Sequence, residues 1–370
     1  MDKRRDLFPV SRNLVYFNHA AVGPLSTIAY DAMEAHARDQ REFGALHWRD
    51  WYAEYEKLRA SAAKLIGATE PREIAVVKNT SEGLSFVAEG YRWTEGDNVV
   101  TTALEFPSNY TPWKRLERRG VECRVVANPT VDAIEQAIDA RTRIVTVSSV
   151  AFHNGFTADC AALGDLCARR NILFCVDAIQ SVGALPMRVR EWNVAFLAAD
   201  GHKWMCGSEG AGIFYVAAEH RDKLEVLESG WTNIDRKGKF IGAGAFELHP
   251  DARRFEAGSL NTNGIYGLRA AIDLLLDIGI DDIANEVIRI ATLLADGLES
   301  IGFELGTPRP IRSGIVGAIV KDGRELMRLH GELEKQGIVC APREGMLRFS
   351  PHFYNVESEV ERVVAALRER

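Results

Sequence analysis

The sequence predicts an α/β protein in which a large domain with a mostly parallel, seven-stranded type of sheet is followed by a smaller α+β domain. The chain has 370 residues, more than a single hydrophobic core usually serves. Short apolar runs alternate with helical patterns from about residue 70 to 216, as in parallel sheets covered by helices. The texture becomes irregular over residues 226–260 before new helical and strand patterns begin.

Composition narrows the class of protein further. The net charge is −7, and hydrophobic residues make up 46% of the chain, which argues against a nucleic-acid partner. No apolar run approaches the ~18 residues of a membrane span, and the opening MDKRRDLFPV lacks the apolar core of a secretory signal. The six cysteines include no C-x-x-C pair. We therefore expect a cytoplasmic protein with reduced thiols, no membrane contact and no metal site.

In the N-terminal part, residues 14–25 indicate a short strand whose exit, Asn18 to Ala21, either lies beside a ligand or is a plain loop. Residues 27–66 have a helical pattern with a break at Phe43-Gly44. The second helix carries four aromatic residues near helical spacing, which favours a core or dimer-packing face over a cofactor site. These residues are Trp48, Trp51, Tyr52 and Tyr55.

The remaining elements follow from apolar runs and helical periodicity. Strands are predicted at 73–78, 99–102, 123–127, 144–150, 172–176, 194–199 and 213–216, with helices at 84–91 and 131–140. A helical tract at 264–301, interrupted near Gly279, leads to strand 313–321, helix 324–336, strands 337–341 and 346–351, and helix 356–369, with Asn355 as a fair cap. We predict a large domain at 19–263 and a small domain at 1–18 and 264–370.

Two neighbouring strand ends carry charged residues. One apolar run ends at Asp177, and the other leads into Asp200-Gly201-His202-Lys203. Open parallel sheets bind ligands at the carboxyl ends of their strands. The sequence therefore predicts a site here.

The residue types at this site suit pyridoxal 5'-phosphate (PLP). A desolvated lysine such as Lys203 loses its proton readily and forms a Schiff base with an aldehyde. A carboxylate such as Asp177 pairs with a protonated pyridine nitrogen and keeps the ring an electron sink. Gln180 is placed to donate to the ring's phenolate oxygen. Taken alone, Lys203 would instead be interpreted as a solvated surface charge.

Two further stretches contribute candidates. Thr80 and Ser81 begin a helix, where free backbone N–H groups and hydroxyls bind phosphate, although a plain helix cap is the simpler interpretation. Phe106, held by the following proline, either stacks on a flat cofactor or belongs to the core.

These motifs, in their order along nearly the whole chain, resemble the class V aminotransferases, which are PLP-dependent enzymes of fold type I. The subgroup that the chain resembles includes cysteine desulfurases, selenocysteine lyases, isopenicillin N epimerase-like proteins and kynureninases. The matching runs are Asn79-Thr80-Ser81-Glu82-Gly83, Glu105-Phe106, Asp177-Ala178-Ile179-Gln180, Gly201-His202-Lys203, 254–262 (RFEAGSLNT) and Leu347-Arg348-Phe349-Ser350.

The resemblance implies roles for the residues that match these motifs. Catalytic positions fall on Lys203, Asp177, Phe106 and Arg348. Cofactor-binding positions fall on Thr80, Ser81, Phe106, Asp177, Gln180, His202, Lys203, Asn261 and Thr262. Arg348 would hold the substrate carboxylate, and Lys203 would move the proton at the substrate's α-carbon. Asn261 or Thr262 would reach the phosphate from the other subunit of a homodimer.

Three departures from the family pattern matter. Asp200 stands where the desulfurases usually have a hydroxyl residue, so we expect it to point away from the phosphate or to hold His202 protonated. Phe152 replaces a polar side chain that many relatives offer to the cofactor. Cys340 lies at the end of a predicted strand, not on the loop that carries the nucleophilic cysteine of desulfurases, so persulfide transfer is disfavoured. Arg343 is either a second anion contact or a solvated loop residue.

We therefore predict a PLP-dependent enzyme that acts on an amino acid or amino-acid derivative through a Schiff base and a quinonoid carbanion. Transamination and C–S or β-elimination are the favoured outcomes, with epimerisation or cysteine desulfuration as alternatives. A catalytically idle PLP-binding or interaction protein is the alternative from another class. A nicotinamide-dependent dehydrogenase is disfavoured because no G-x-G-x-x-G turn follows the first strand of the alternating region.

Overall fold

The computed structural model describes residues 3–127, 129–235 and 247–368. The loop 228–248, predicted to contribute to substrate specificity, lies partly outside these residues. The strands are β1 (Val15–Tyr16), β2 (Ile74–Val77), β3 (Asn98–Thr102), β4 (Glu122–Val126), β5 (Thr142–Ser148), β6 (Leu173–Asp177), β7 (Phe196–Asp200), β8 (Gly212–Val216), β9 (Val316–Ile319), β10 (Ile338–Val339), β11 (Ala341–Arg343) and β12 (Met346–Phe349).

The helices agree closely with the helical periodicity of the sequence. They are α1 (Lys3–Asp6), α2 (Thr27–Phe43), α3 (Trp48–Ile66), α4 (Thr80–Gly90), α5 (Thr111–Arg115), α6 (Val131–Ala137), α7 (Cys160–Arg170), α8 (Thr262–Ile278), α9 (Ile280–Ser300), α10 (Gly323–Lys335) and α11 (Glu357–Arg368). The predicted breaks fall at Gly44 and Gly279, both with positive φ, where helices end without steric cost.

The large sheet has the strand order β2-β8-β7-β6-β5-β3-β4. The strands from β7 to β4 pair in parallel, whereas β8 runs antiparallel between β7 and β2. The predicted α/β class with a mostly parallel sheet is confirmed. Because β7 and β8 are antiparallel neighbours, a short loop joins them without a covering helix, and that loop contains Lys203.

Burial explains why the central strands read as continuous apolar runs. Every residue of β6 and of β7 is buried, as expected for strands with helices on both faces of the sheet. Asp177 and Asp200 are the last residues of these two strands. The apolar runs thus carry two carboxylates to one edge of the sheet.

Helix α7 was absent from the sequence-based prediction. Asp159 caps its first turn by accepting a hydrogen bond from the backbone N–H of Ala162, and Asn171 ends it in the left-handed conformation. Its sequence, CAALGDLCARR, is rich in small residues. These let the helix approach its neighbours closely, but they give a weak amphipathic pattern.

A second hydrophobic core lies in the C-terminal part of the chain. Residues from α9, α10, α11 and the antiparallel sheet β11-β12-β9 pack together with Val15 and Phe17. Strand β1 reaches this core by pairing in parallel with β10. The predicted domain division at residue 263 stays a prediction.

The proposed cap of the last helix was wrong. Asn355 donates its side-chain amide to Glu359 and accepts a hydrogen bond from the backbone N–H of His352. Glu359 instead accepts the backbone N–H of Val356 at the start of α11.

In the described part of the chain, no helix has the length and apolar character required to cross a bilayer.

Two helical glycines offer a matched test of this packing. A Cβ at Gly164 in α7 would lie 1.7 Å from the backbone oxygen of Trp192, whereas a Cβ at Gly331 in α10 would have no heavy atom within 4 Å. We expect Gly164→Ala to lower the free energy of unfolding by about 2 kcal/mol or more. Gly331→Ala should raise it by about 0.5–1 kcal/mol through helix propensity. Urea unfolding measures both, and equal effects would contradict the packing of α7.

Candidate active site

A cavity of about 380 Å³ lies at the carboxyl ends of the parallel strands. Its walls come from segments far apart in sequence, which meet above β6 and β7. The lining residues are Ala20, Ala21, Val22, Asn79, Thr80, Ser81, Phe106, Ser108, Phe152, Asp177, Ile179, Gln180, Asp200, His202, Lys203, Glu209, Arg343 and Arg348. The structure therefore brings together the predicted site residues from Thr80 to Arg348, apart from Asn261 and Thr262.

Lys203 lies in the loop between β7 and β8, with its Nζ 5.6 Å from the centroid of the Phe106 ring. Burial lowers the pKa of Lys203 to about 8, and the nearby positive charge of Arg348 acts in the same direction. The negative charge of Asp177 opposes this shift. An amine with this pKa is partly neutral near pH 7 and can attack a carbonyl.

Asp177 ends β6 and is only 2% exposed. Its Oδ1 accepts the backbone N–H of Ile179 at 3.1 Å, whereas its buried Oδ2 has no hydrogen-bond partner among the described residues. Burial raises the pKa of Asp177 to about 7, and the neighbouring Glu105 raises it further. A buried carboxylate oxygen facing a cavity without a partner suits a ligand that brings a proton or a positive charge.

Gln180 lies one turn beyond Asp177 and is buried. Its Nε2 donates to the backbone oxygen of Ala20 at 3.0 Å, and its Oε1 accepts the indole N–H of Trp204 at 2.8 Å. Since an amide NH₂ carries two hydrogens, the second is available to a ligand in the cavity.

The start of helix α4 forms one wall of the cavity. Asn79 caps the helix by accepting the backbone N–H of Glu82, which leaves the first N–H groups of α4 without intrahelical partners. Thr80 Oγ1 accepts the backbone N–H of Asp200, and Ser81 Oγ donates to Ser108 Oγ at 2.8 Å. Hydroxyls, free N–H groups and the positive end of the helix dipole together suit a phosphate.

Phe106 follows β3 at the mouth of the cavity, with 41% of its surface exposed. Its ring meets that of Phe152 edge to face at 5.0 Å. The preceding residue, Glu105, anchors this loop, since its carboxylate accepts hydrogen bonds from Thr102 Oγ1, Asn109 Nδ2 and Ser148 Oγ at 2.6–2.8 Å. The ring is therefore presented by a rigid loop, as a stacking residue requires.

Asp200 does not point away from the cavity. It lines the cavity beside His202, and its Oδ2 lies 3.0 Å from His202 Nδ1. Of the two arrangements expected from the sequence, the structure has the one in which the carboxylate supports the imidazole. His202 Nε2 is then the nitrogen left to face a ligand.

Arg348 lies on β12 and reaches the cavity from the C-terminal part of the chain. It is 2% exposed and donates to the backbone oxygen of Phe152 at 2.7 Å, while its Nε has no partner among the described residues. Burial lowers the pKa of Arg348 to about 10. A buried guanidinium held by a neutral carbonyl suits an anionic ligand group.

Asn261 and Thr262 lie outside this cavity within the single chain. Asn261 caps α8 by accepting the backbone N–H of Gly264, and the hydroxyl of Thr262 lies 2.6 Å from that of Tyr55. Tyr55 lines a separate cavity of about 510 Å³, whose walls include the buried ion pair of Arg59 and Glu256. The predicted role of Asn261 and Thr262 across a subunit interface stays a prediction.

No cysteine lines the cavity among the residues that the structure describes. Cys340 is 3% exposed and packs in the C-terminal core, where burial raises the pKa of its thiol to about 12. The remaining cysteines are also buried. A thiol in such surroundings is a poor nucleophile.

Sequence reasoning missed several residues that build the site. Gly23 donates its backbone N–H to the oxygen of His202, and a Cβ at this position would lie 2.1 Å from the backbone oxygen of Lys203. Its signal, the dipeptide Gly23-Pro24, is indistinguishable from an ordinary turn. Ser108 and Asn79 were visible next to predicted site residues, but nothing in the sequence singled them out.

Comparisons with known proteins agree with this geometry. The family model described as Aminotransferase class-V matches residues 25–363. The chain is 32% identical to a probable cysteine desulfurase of Methanothermobacter thermautotrophicus, covering 100% of this chain and 97% of that protein. It is 30% identical to an uncharacterised aminotransferase, YcbU, of Bacillus subtilis, covering 98% and 96%. A solved apo structure of a cysteine desulfurase from Thermococcus onnurineus NA1 superimposes with a TM-score of 0.91 at 27% identity, covering 100% and 97%.

The electrostatics of the cavity predict how Lys203 titrates in the cofactor-free protein. Lys203 should titrate near pH 8, because burial disfavours its charged form. Asp177→Asn should lower this pKa by removing a negative charge, and Arg348→Gln should raise it by removing a positive one.

Nuclear magnetic resonance of ¹³C-methylated lysines as a function of pH measures this titration, and Lys203→Arg identifies the signal. Lys78 is the internal control, since its ion pair with Glu82 raises its pKa above 10.5. Shifts of the same sign in the two variants would contradict the assignment of charges.

Proposed function

This chain belongs to the aminotransferase class-V family, and we propose that it is a PLP-dependent carbon–sulfur lyase that eliminates sulfur from a cysteine-type amino acid without an enzyme persulfide. PLP dependence and action on amino acids follow from the family. The reaction subtype and the role of each residue are the proposal.

The residues of the cavity fit PLP. When bound, PLP supplies an aldehyde that an amine captures and a cationic ring that withdraws electrons from the substrate. The unpartnered Oδ2 of Asp177 would accept the pyridine N–H, and Lys203 would capture the aldehyde. Phe106 would pack on the ring face, and Gln180 would donate to the ring oxygen.

The phosphate fits the opposite wall. Thr80 and Ser81, at the start of α4, would donate hydroxyl and backbone hydrogens, and His202 would donate its Nε2–H. Asn261 or Thr262 of a second subunit would complete the phosphate site.

The substrate fits between Lys203 and Arg348. The guanidinium would hold the α-carboxylate, because its buried Nε has no partner among the described residues and a carboxylate supplies two acceptors. Once an amino acid has displaced it, the Lys203 amine would remove the proton from the α-carbon. Phe106 and Phe152 would exclude water from that carbon.

The position of the thiols is the observation that carries the choice of reaction. Relatives at about 30% identity are named probable cysteine desulfurases, but the cysteines of this chain are buried and outside the described wall of the cavity. Sulfur would therefore leave with the electron pair of the Cβ–S bond after Lys203 takes the α-proton. Water would then release pyruvate and ammonia from the dehydrated amino acid.

Transamination is the second candidate, favoured by the similarity to YcbU. It begins with the same proton removal at the α-carbon by Lys203. It differs in the site that the proton returns to, and the residues that hold PLP would be the same.

A homodimer with shared active sites is part of the proposal. Asn261 and Thr262 match the family's phosphate motif but lie outside the cavity of their own chain. Large apolar side chains at the α2–α3 turn, such as Leu46 at 71% and Phe43 at 53% exposure, suit burial against another subunit. A location in the cytoplasm is also proposed, because free thiols persist in a reducing compartment.

Incubation of the PLP-loaded protein with L-cysteine, L-cystine and L-alanine tests the reaction. Pyruvate, ammonia and sulfide or persulfide in solution are expected from the sulfur-containing substrates, with no product from Lys203→Ala. A keto acid formed together with pyridoxamine phosphate would establish transamination instead.

Cys340→Ser separates direct elimination from desulfuration. We expect it to retain full turnover, because the thiol is buried in the C-terminal core. The products are followed by pyruvate and alanine assays, with protein-bound sulfur measured by mass spectrometry. Alanine formed by the wild-type protein and lost in Cys340→Ser would show that this thiol accepts sulfur.

Arg348→Lys tests the carboxylate site. Loss of a buried, paired contact to a charged group should raise KM for amino acids by about 30-fold or more, with PLP affinity unchanged. Arg343→Lys is the matched control, because Arg343 lines the same cavity but is exposed and should change KM by less than about threefold. Equal effects of the two variants would contradict the assignment.

A further inference from the structure

Trp204, which directly follows Lys203, is fully buried and was given no role by the sequence analysis. Its indole N–H donates to Gln180 Oε1 at 2.8 Å. It therefore connects the loop that carries the reactive lysine to the residue that faces the ring of the cofactor.

The chemistry of the two partners fixes the orientation of the Gln180 amide. An indole nitrogen can only donate, so the Gln180 atom facing it must be the oxygen. A backbone carbonyl can only accept, so the atom 3.0 Å from Ala20 O must be Nε2. Both contacts specify one orientation, in which the second N–H of Nε2 remains for the cavity.

The indole is itself held in place by the surrounding structure. His352 Nδ1 accepts the backbone N–H of Phe353 at 2.8 Å, so His352 Nε2 carries the hydrogen that is donated to the backbone oxygen of Trp204 at 3.0 Å. A Cβ at Gly314 would lie 2.4 Å from the indole ring. Such close packing prevents the ring from turning.

We propose that Trp204 is a positioning residue that holds the Gln180 amide with its N–H directed at the ring oxygen of PLP. The inference rests on the cofactor placement given under the proposed function. Without the indole donor, the amide can rotate and present its oxygen to the anionic ring oxygen, which would disfavour the form of the cofactor in which that oxygen is charged.

The visible absorption of the bound cofactor reports this interaction without substrate. In Trp204→Phe, the pH midpoint of the yellow band should move upward by about one pH unit, the effect of losing one hydrogen bond to a charged oxygen. Trp93→Phe is the matched control, because its indole donates to the backbone oxygen of Ala88 away from the site. Its midpoint should equal that of the wild-type protein.

A double-mutant comparison shows whether Trp204 acts through Gln180. In a Gln180→Leu background, adding Trp204→Phe should leave the midpoint where Gln180→Leu alone puts it. An unchanged midpoint in Trp204→Phe would overturn the inference, as would an equal shift in the presence and absence of Gln180.

A variant with the shape of tryptophan guards against loss of folding. Benzothienylalanine placed at position 204 replaces the indole N–H by sulfur and should give the same upward shift as Trp204→Phe. No shift in this variant would also overturn the inference. Failure to release pyruvate or sulfide would refute the proposed lyase alone and leave this measurement intact, whereas a wild-type protein without a yellow band would overturn both.

Discussion

The site depends on keeping an amine and a carboxylate out of water at the same edge of one sheet. Lys203 and Asp177 follow or end adjacent strands that are buried on both faces. Desolvation disfavours the charge on each, and their mutual attraction limits the shift of each pKa. A neutral amine for attack and a carboxylate with a free oxygen result from the same arrangement.

The rest of the molecule maintains this arrangement. Gly23 allows the N-terminal segment to approach the backbone of Lys203, and Glu105 anchors the loop that presents Phe106. Arg348 brings a positive charge from the C-terminal antiparallel sheet to the same cavity. Substrate binding and cofactor binding thus draw on parts of the chain that are distant in sequence.

Local signals in the sequence were sufficient for most of the fold. The buried strands β6 and β7 were predicted because burial on both faces produces continuous apolar runs, and the helix breaks at Gly44 and Gly279 because glycine permits positive φ. Helix α7 was missed because its small residues carry little periodicity. The antiparallel direction of β8 depends on pairing between strands, which a local pattern does not encode.

The same distinction applies to the site. Lys203, Asp177 and Gln180 are identifiable because their motif fixes their spacing. Gly23, Trp204 and His352 act through contacts formed after folding, and their residue types are ordinary in a core. The buried location of Cys340, by contrast, followed from the short segment between β10 and β12 and agrees with the expectation from the sequence.

The central claim is that Lys203 is the amine that captures the cofactor aldehyde. Borohydride reduction of the PLP-loaded protein, followed by proteolysis and mass spectrometry, locates the covalently attached pyridoxyl group. The account predicts a single modified peptide, with the group on Lys203. Attachment at another lysine, or a fully loaded protein that reduction leaves unmodified, would contradict it.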